Sequence, residues 1–155
     1  MRICFLRHGE ADWPGWAGPD DERPLTKRGR KEMRRVAQFL EQLDFCAGAI
    51  LSSPLARASE TAKIVAEQLR ISVQIEPELA HGFNLERLRH MIGKIDTECV
   101  MIVGHEPEFS TVIKELTGGS VKLAKGGIAL VEANDNCKSA ELRWLFPPKI
   151  AKAAS

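Results

Sequence analysis

A chain of 155 residues with 22 Lys and Arg against 21 Asp and Glu, formal net charge +1, has no global pull toward nucleic acid or an anionic membrane, so any basic site must be local. Its 44% hydrophobic and 28% charged residues read as an ordinary soluble globular protein, long enough to bury a core without disulfide or metal staples. No run approaches the roughly 18 apolar residues that span a bilayer, and the opening Arg2-Ile3-Cys4-Phe5-Leu6 is shorter than the about 7–15-residue core of a signal peptide. Cys4, Cys46, Cys99 and Cys137 form no C-x-x-C pair; they are expected to be structural and free, in a cytoplasmic, reduced protein.

In chain order, Arg2–Leu6 predicts a short buried strand that stops at Arg7-His8-Gly9-Glu10. Residues 11–24, rich in Gly, Pro and acids, predict a loop, with Trp13 and Trp16 read as packing bulk rather than as a pocket rim. Thr26 is the expected N-cap of a helix whose Met33, Val36, Ala37, Leu40 and Leu43 recur at helical spacing, and the charges of Arg28–Arg35 are its solvated face. Ala47–Leu51 predicts a second strand, stopped by Ser52-Ser53-Pro54, and Leu55–Leu69 a second helix. Ile71–Ile75 predicts a strand, Leu85–Ile92 a helix and Glu98–Val103 a wholly apolar strand. Pro107–Leu116 predicts a helix closed by Gly118-Gly119, and Ile128–Val131 and Ala140–Phe146 two last strands. The Lys- and Ala-rich tail, 147–155, is expected to fray. Strands alternating with helices imply one α/β domain over 1–155, its largely parallel sheet covered on both faces.

Ligands of open α/β sheets bind beyond the carboxyl ends of the strands. Three runs leave predicted strands with polar groups of one kind: Leu6-Arg7-His8-Gly9-Glu10, Leu51-Ser52-Ser53-Pro54-Leu55-Ala56-Arg57, and Val103-Gly104-His105-Glu106-Pro107. If the sheet is parallel at those strands, they bring two Arg, two His and backbone amides to one rim, which suits a doubly charged anion. Arg7 and Arg57 offer planar forks of donors matched to phosphoryl oxygens. A neutral imidazole beside guanidinium groups is a competent nucleophile, the role assigned to His8; His105 is a further donor to the phosphoryl group. Gly9 and Gly104 are expected to let backbone approach the ligand closely, and Ser52 and Glu106 join Gly9 as candidate substrate contacts. Glu10 and Asp12 either touch substrate or shape the loop. A metal at His8, His105 and Glu10 is the competing chemistry, opposed by two arginines in the same pocket; neither metal nor cofactor is expected. His90 is expected on a helix surface.

These runs resemble the histidine phosphatase superfamily, which includes the phosphoglycerate mutases. The resemblance lies in Leu6-Arg7-His8-Gly9-Glu10, in Ser53-Pro54-Leu55-Ala56-Arg57-Ala58 with Glu60-Thr61-Ala62, in Val103-Gly104-His105, and in Arg23-Pro24-Leu25-Thr26 with Gly29; it covers about residues 1–117. It implies a three-layer α/β/α sandwich around a mostly parallel sheet with one antiparallel strand. It also implies a phosphohistidine intermediate on His8. The short chain and Gly104-His105-Glu106-Pro107 are most similar to small phosphohistidine phosphatases of the SixA type, which implies a phosphorylated phosphotransfer domain as partner, with no nucleic acid and no membrane. Family members often carry an acidic proton donor two residues after a leucine; here that position, after Leu79, holds His81, the candidate replacement donor. An imidazole leaving group needs less acid help than an alkoxide. Small phosphate esters, a non-catalytic phosphate-binding module and mutase activity stand as alternatives.

Overall fold

The hydrophobic run after Arg2 forms the strand about which the molecule is built. The computed structural model describes residues 1–154, and among them β1 (Arg2–Arg7), β2 (Ala49–Ser52), β3 (Val73–Ile75), β4 (Cys99–Gly104), β5 (Ile128–Ala133) and β6 (Ala140–Phe146) make a six-stranded sheet in the order β3-β2-β4-β1-β5-β6. β1, β2, β3 and β4 pair in parallel, while β5 runs antiparallel to both of its neighbours, β1 and β6. The expected single antiparallel strand is therefore β5.

Period-two alternation splits the apolar residues between two faces. Cys4, Leu6, Met101, Val103 and Ile50 enter one buried cluster with the apolar stripes of α1 (Lys27–Gln42) and α2 (Ala56–Leu69). Ile3, Phe5, Val100, Ile102 and Leu51 enter the other, against α3 (Leu85–Ile92) and α4 (Glu108–Thr117). Both faces of β4 are buried along its whole length, which is why Cys99–Val103 reads as a continuous apolar run rather than an alternating one. The three layers follow from these two cores.

Local signals set the helix ends. Thr26 Oγ1 accepts the Gly29 N–H at 3.0 Å, an N-cap of the kind worth about 1 kcal/mol. Gly118 closes α4 in the left-handed region at φ 77. A Cβ on Gly29 would lie 2.1 Å from the Glu10 carbonyl oxygen, so only glycine lets α1 seat against the segment that follows His8. The tail departs from expectation. Lys149–Ala154 forms α5, and Ala151 is buried in the first cluster; its small side chains let the turn lie close on the core beside α1, which offsets the entropy that would otherwise fray it. Among the described residues no helix is long and apolar enough to cross a membrane.

Candidate active site

Three strand exits meet at one rim. Arg7 stands opposite Gly104 and Ser52 opposite Val103 in the sheet register. The His8 N–H donates to the Gly104 carbonyl at 3.0 Å and the Ser53 N–H to the Val103 carbonyl at 3.0 Å, so pairing runs one residue past the strands and sets His8, Ser53 and His105 side by side. Arg57 joins them from the first turn of α2. A cross-link holds that turn: Thr61 Oγ1 accepts the Gly9 N–H at 3.0 Å and donates to the Arg57 carbonyl at 2.7 Å.

His8, Arg57 and His105 are 7%, 6% and 6% exposed. Nδ1 of His8 is 2.7 Å from the Gly9 carbonyl oxygen. A carbonyl can only accept, so Nδ1 carries the ring proton and the lone pair of the neutral imidazole lies on Nε2. Burial pushes His8 down to about 4; the Gly9 bond opposes this, and the guanidinium groups of Arg57, Arg7 and Arg23 add to it. His105, whose ring centroid is 5.4 Å from that of His8, is pushed down to about 3 by burial first, then by His8, Arg57 and His81, against the pull of Asp20. Both rings are neutral at pH 7.

Arg7 Nε, Arg57 Nε and His105 Nδ1 are buried without a hydrogen-bond partner. An orphaned buried polar group costs on the order of 1–3 kcal/mol, more when charged, and these three belong to the residues that flank His8. An anion with several acceptor oxygens satisfies such a set; a divalent cation meets two guanidinium groups. Among the described residues no group of three or more His, Cys, Asp or Glu side chains could hold a metal ion.

Several sequence-predicted contacts are engaged with partners inside the protein. The Ser52 hydroxyl is fully buried and donates to the Ser53 carbonyl at 2.9 Å, because strand parity turns Ser52 inward; Ser53 is the serine that faces the site. Glu106 accepts the Ser110 N–H at 2.8 Å and so caps α4. Packing demands glycine at 9 and 104: a Cβ would lie 2.7 Å from Met33 Cγ in the first case and 2.7 Å from Phe109 Cζ in the second. Glu10 accepts from the Thr26 hydroxyl at 2.6 Å and shapes the loop, and Asp12 pairs with Lys125.

Residues 11–24 do more than cover the sheet. Asp20 accepts from Arg57 through its carbonyl at 2.9 Å and its carboxylate at 3.1 Å, and pairs with Arg23 at 3.1 Å. Asp21 Oδ1 lies 3.0 Å from Nε2 of His81, whose ring stacks on His105 at 6.3 Å and 18°. His81 is thus drawn to the mouth of the site, whereas His90 sits on the surface and pairs with Glu78 at 2.6 Å. Trp13 and Trp16, expected as packing bulk, are each 39% exposed. Their indole N–H groups donate to the Pro24 and Pro19 carbonyls at 2.8 and 3.1 Å, holding the rings on the wall of a cavity of about 720 Å³ shared with Asp12, Asp20 and Arg23. Ser53, Thr61, Arg23, Asp20 and Asp21 were absent from the predicted contacts. Arg23, Ser53 and Thr61 carried a signal, their places in Arg23-Pro24-Leu25-Thr26 and in Ser53-Pro54-Leu55-Ala56-Arg57-Ala58 with Glu60-Thr61-Ala62; Asp20 and Asp21 depend on how the loop folds back.

The chain is 31% identical over 147 residues to an uncharacterised chloroplastic protein of Arabidopsis thaliana, an alignment spanning 87% of this chain and 67% of that one. It is 28% identical over 163 residues to the phosphohistidine phosphatase SixA of Escherichia coli, with 99% of each chain covered. A solved structure of the protein histidine phosphatase SixA complexed with tungstate superposes with a TM-score of 0.84 at 25% identity, over 97% of this chain and 99% of that one. The α-ribazole phosphatase of Shigella flexneri shares the fold, at a TM-score of 0.73 and 23% identity over 94% of this chain and 96% of that one. The family model described as "Histidine phosphatase superfamily (branch 1)" matches residues 3–84, and the chain belongs to that superfamily.

Proposed function

We propose that this chain is a metal-independent phosphatase acting through His8. Nε2 attacks the phosphorus of a bound phosphoryl group, the N–P bond forming as the bond to the leaving group breaks. Water then attacks the phosphohistidine, releasing inorganic phosphate and restoring the neutral imidazole. The observation that carries this reading is the set of buried, unpartnered nitrogens on Arg7, Arg57 and His105 beside an imidazole whose lone pair lies on Nε2. The two guanidinium groups and the His105 ring stabilise charge on the phosphoryl oxygens during transfer. The guanidinium charges supply the positive field that a metal provides in other phosphatases, so the step runs without one.

The favoured substrate is a phosphohistidine on a phosphotransfer-type protein. Support comes from end-to-end similarity to a protein described as a phosphohistidine phosphatase and from the leaving group: an imidazole, with an unperturbed pKa of about 6.5, departs with little help. The test is phosphate release in EDTA from a phosphohistidine-bearing phosphotransfer domain, comparing wild type with His8→Ala. Release that vanishes in the variant, with acid-labile phosphate trapped on wild-type protein, is the expected result. Undiminished release from the variant would overturn the nucleophile, and no release above spontaneous hydrolysis would overturn the substrate.

A second reading, hydrolysis of small phosphate esters, is favoured by one observation: His81, stacked on His105 and paired with Asp21. An imidazole held by a carboxylate at the mouth of the site is placed to hand a proton to an alkoxide.

A further inference from the structure

His8 and His105 are both neutral and must do opposite things, one offering a lone pair and the other a proton. The Gly9 carbonyl settles the first. For His105 the partner is a hydroxyl, which could donate or accept, and the answer lies in what else that hydroxyl touches.

Ser53 is fully buried. Its Oγ accepts the Leu55 N–H at 3.2 Å and lies 2.7 Å from Nε2 of His105. If Nε2 carried the ring proton and donated it, Oγ would accept twice and its own hydrogen would have no acceptor among the groups Ser53 bonds to. His105 Nδ1, already without a partner, would become a bare lone pair next to the anion. Donation from Oγ to Nε2 removes both faults: the hydroxyl accepts once and donates once, and the ring proton moves to Nδ1.

We infer that Ser53 is a positioning residue that fixes the Nδ1–H tautomer of His105, so that a neutral histidine serves as an obligate donor to the phosphoryl group. The inference rests on the reading of this pocket as a phosphoryl site. Without Ser53, the ring reverts to the Nε2–H form that neutral histidine favours in water, and an Nδ1 lone pair repels phosphoryl oxygens. Removing one such donor from an acyl-transfer site lowers kcat by about 10²–10³-fold, and a loss of about 10- to 100-fold is expected here because Arg7 and Arg57 remain.

The test is ¹⁵N NMR of histidine-labelled protein, which reads each ring nitrogen as N–H or lone pair, together with tungstate affinity and turnover for wild type, Ser53→Ala and Ser53→Thr. Wild type is expected to show His105 with hydrogen on Nδ1. Ser53→Ala shifts it to Nε2 and weakens tungstate binding; Ser53→Thr, which keeps a hydroxyl, retains the wild-type pattern. Hydrogen on Nε2 in the wild type, or on Nδ1 in Ser53→Ala, overturns the inference, and the wild-type spectrum decides even if Ser53→Ala does not fold. The tautomer is read without turnover, so an absence of His8-dependent hydrolysis would strike the proposed function separately.

Discussion

Asp20 grips Arg57 twice, its carbonyl oxygen 2.9 Å from Nη1 and its carboxylate 3.1 Å from Nη2. The buried guanidinium thus meets an anion supplied by the loop before any ligand arrives, and an incoming oxyanion must share Arg57 with it. The carboxylate is largely solvated, which keeps this competition mild. Asp20→Ala is expected to tighten tungstate or phosphate inhibition by about two- to five-fold, the scale of an exposed ion pair, with the gain shrinking as salt is added. Titration at two ionic strengths checks it; unchanged or weaker inhibition would show that Asp20 does not compete.

The buried histidines tie stability to pH. Folding lowers His8 from 6.5 to about 4, so the folded state binds the proton less well than the unfolded chain. The stabilisation is fully present above pH about 6.5 and is lost as the pH falls toward 4. Between pH 7 and 5, His8 alone is expected to cost about 2 kcal/mol of unfolding free energy. Urea denaturation at the two pH values measures it, with His8→Gln, which cannot titrate, as the control whose pH slope should be shallower by that amount.

His81 separates the two substrate readings. Its Asp21 partner and its stack on His105 equip it to protonate a basic leaving group. His81→Gln is therefore expected to slow an alkyl phosphate by about 10²-fold or more, the usual scale of general acid catalysis, while changing phosphohistidine turnover by less than about three-fold. Equal rates of wild type and variant on the alkyl ester would remove the role.

Gly29 couples α1 to the site through contact rather than chemistry. A Cβ there would press on the Glu10 carbonyl oxygen at 2.1 Å, and Glu10 lies two residues from His8. Backbone cannot yield as a side chain end can, so Gly29→Ala is expected to destabilise by about 1–3 kcal/mol, the cost of overpacking. At Gly119 a Cβ would meet only Thr117 Oγ1 at 3.4 Å, and Gly119→Ala should leave the midpoint nearly unchanged. Similar midpoints for the two variants would refute the contact argument.

The sequence by itself determined the first four α-helices, all six strands to within about two residues, and the three exits that carry Arg7, His8, Arg57 and His105. Those features depend on local periodicity, on capping residues such as Thr26 and Gly118, and on strands ending abruptly in charge, all of which are written in neighbouring residues. Tertiary structure decided what depends on parity and on long-range return of the chain. Ser52 and Ser53 look alike in sequence, yet a one-residue difference along a strand sends one hydroxyl into the sheet and the other to His105. Asp20, Asp21, Trp13 and Trp16 sit in a loop without periodicity; their partners Arg57, His81, Pro24 and Pro19 include residues 37 and 60 positions away, so no local pattern could assign them. The tail became helix because Ala151 finds a buried place beside α1, and packing of that kind exists only once the sheet and α1 are in place.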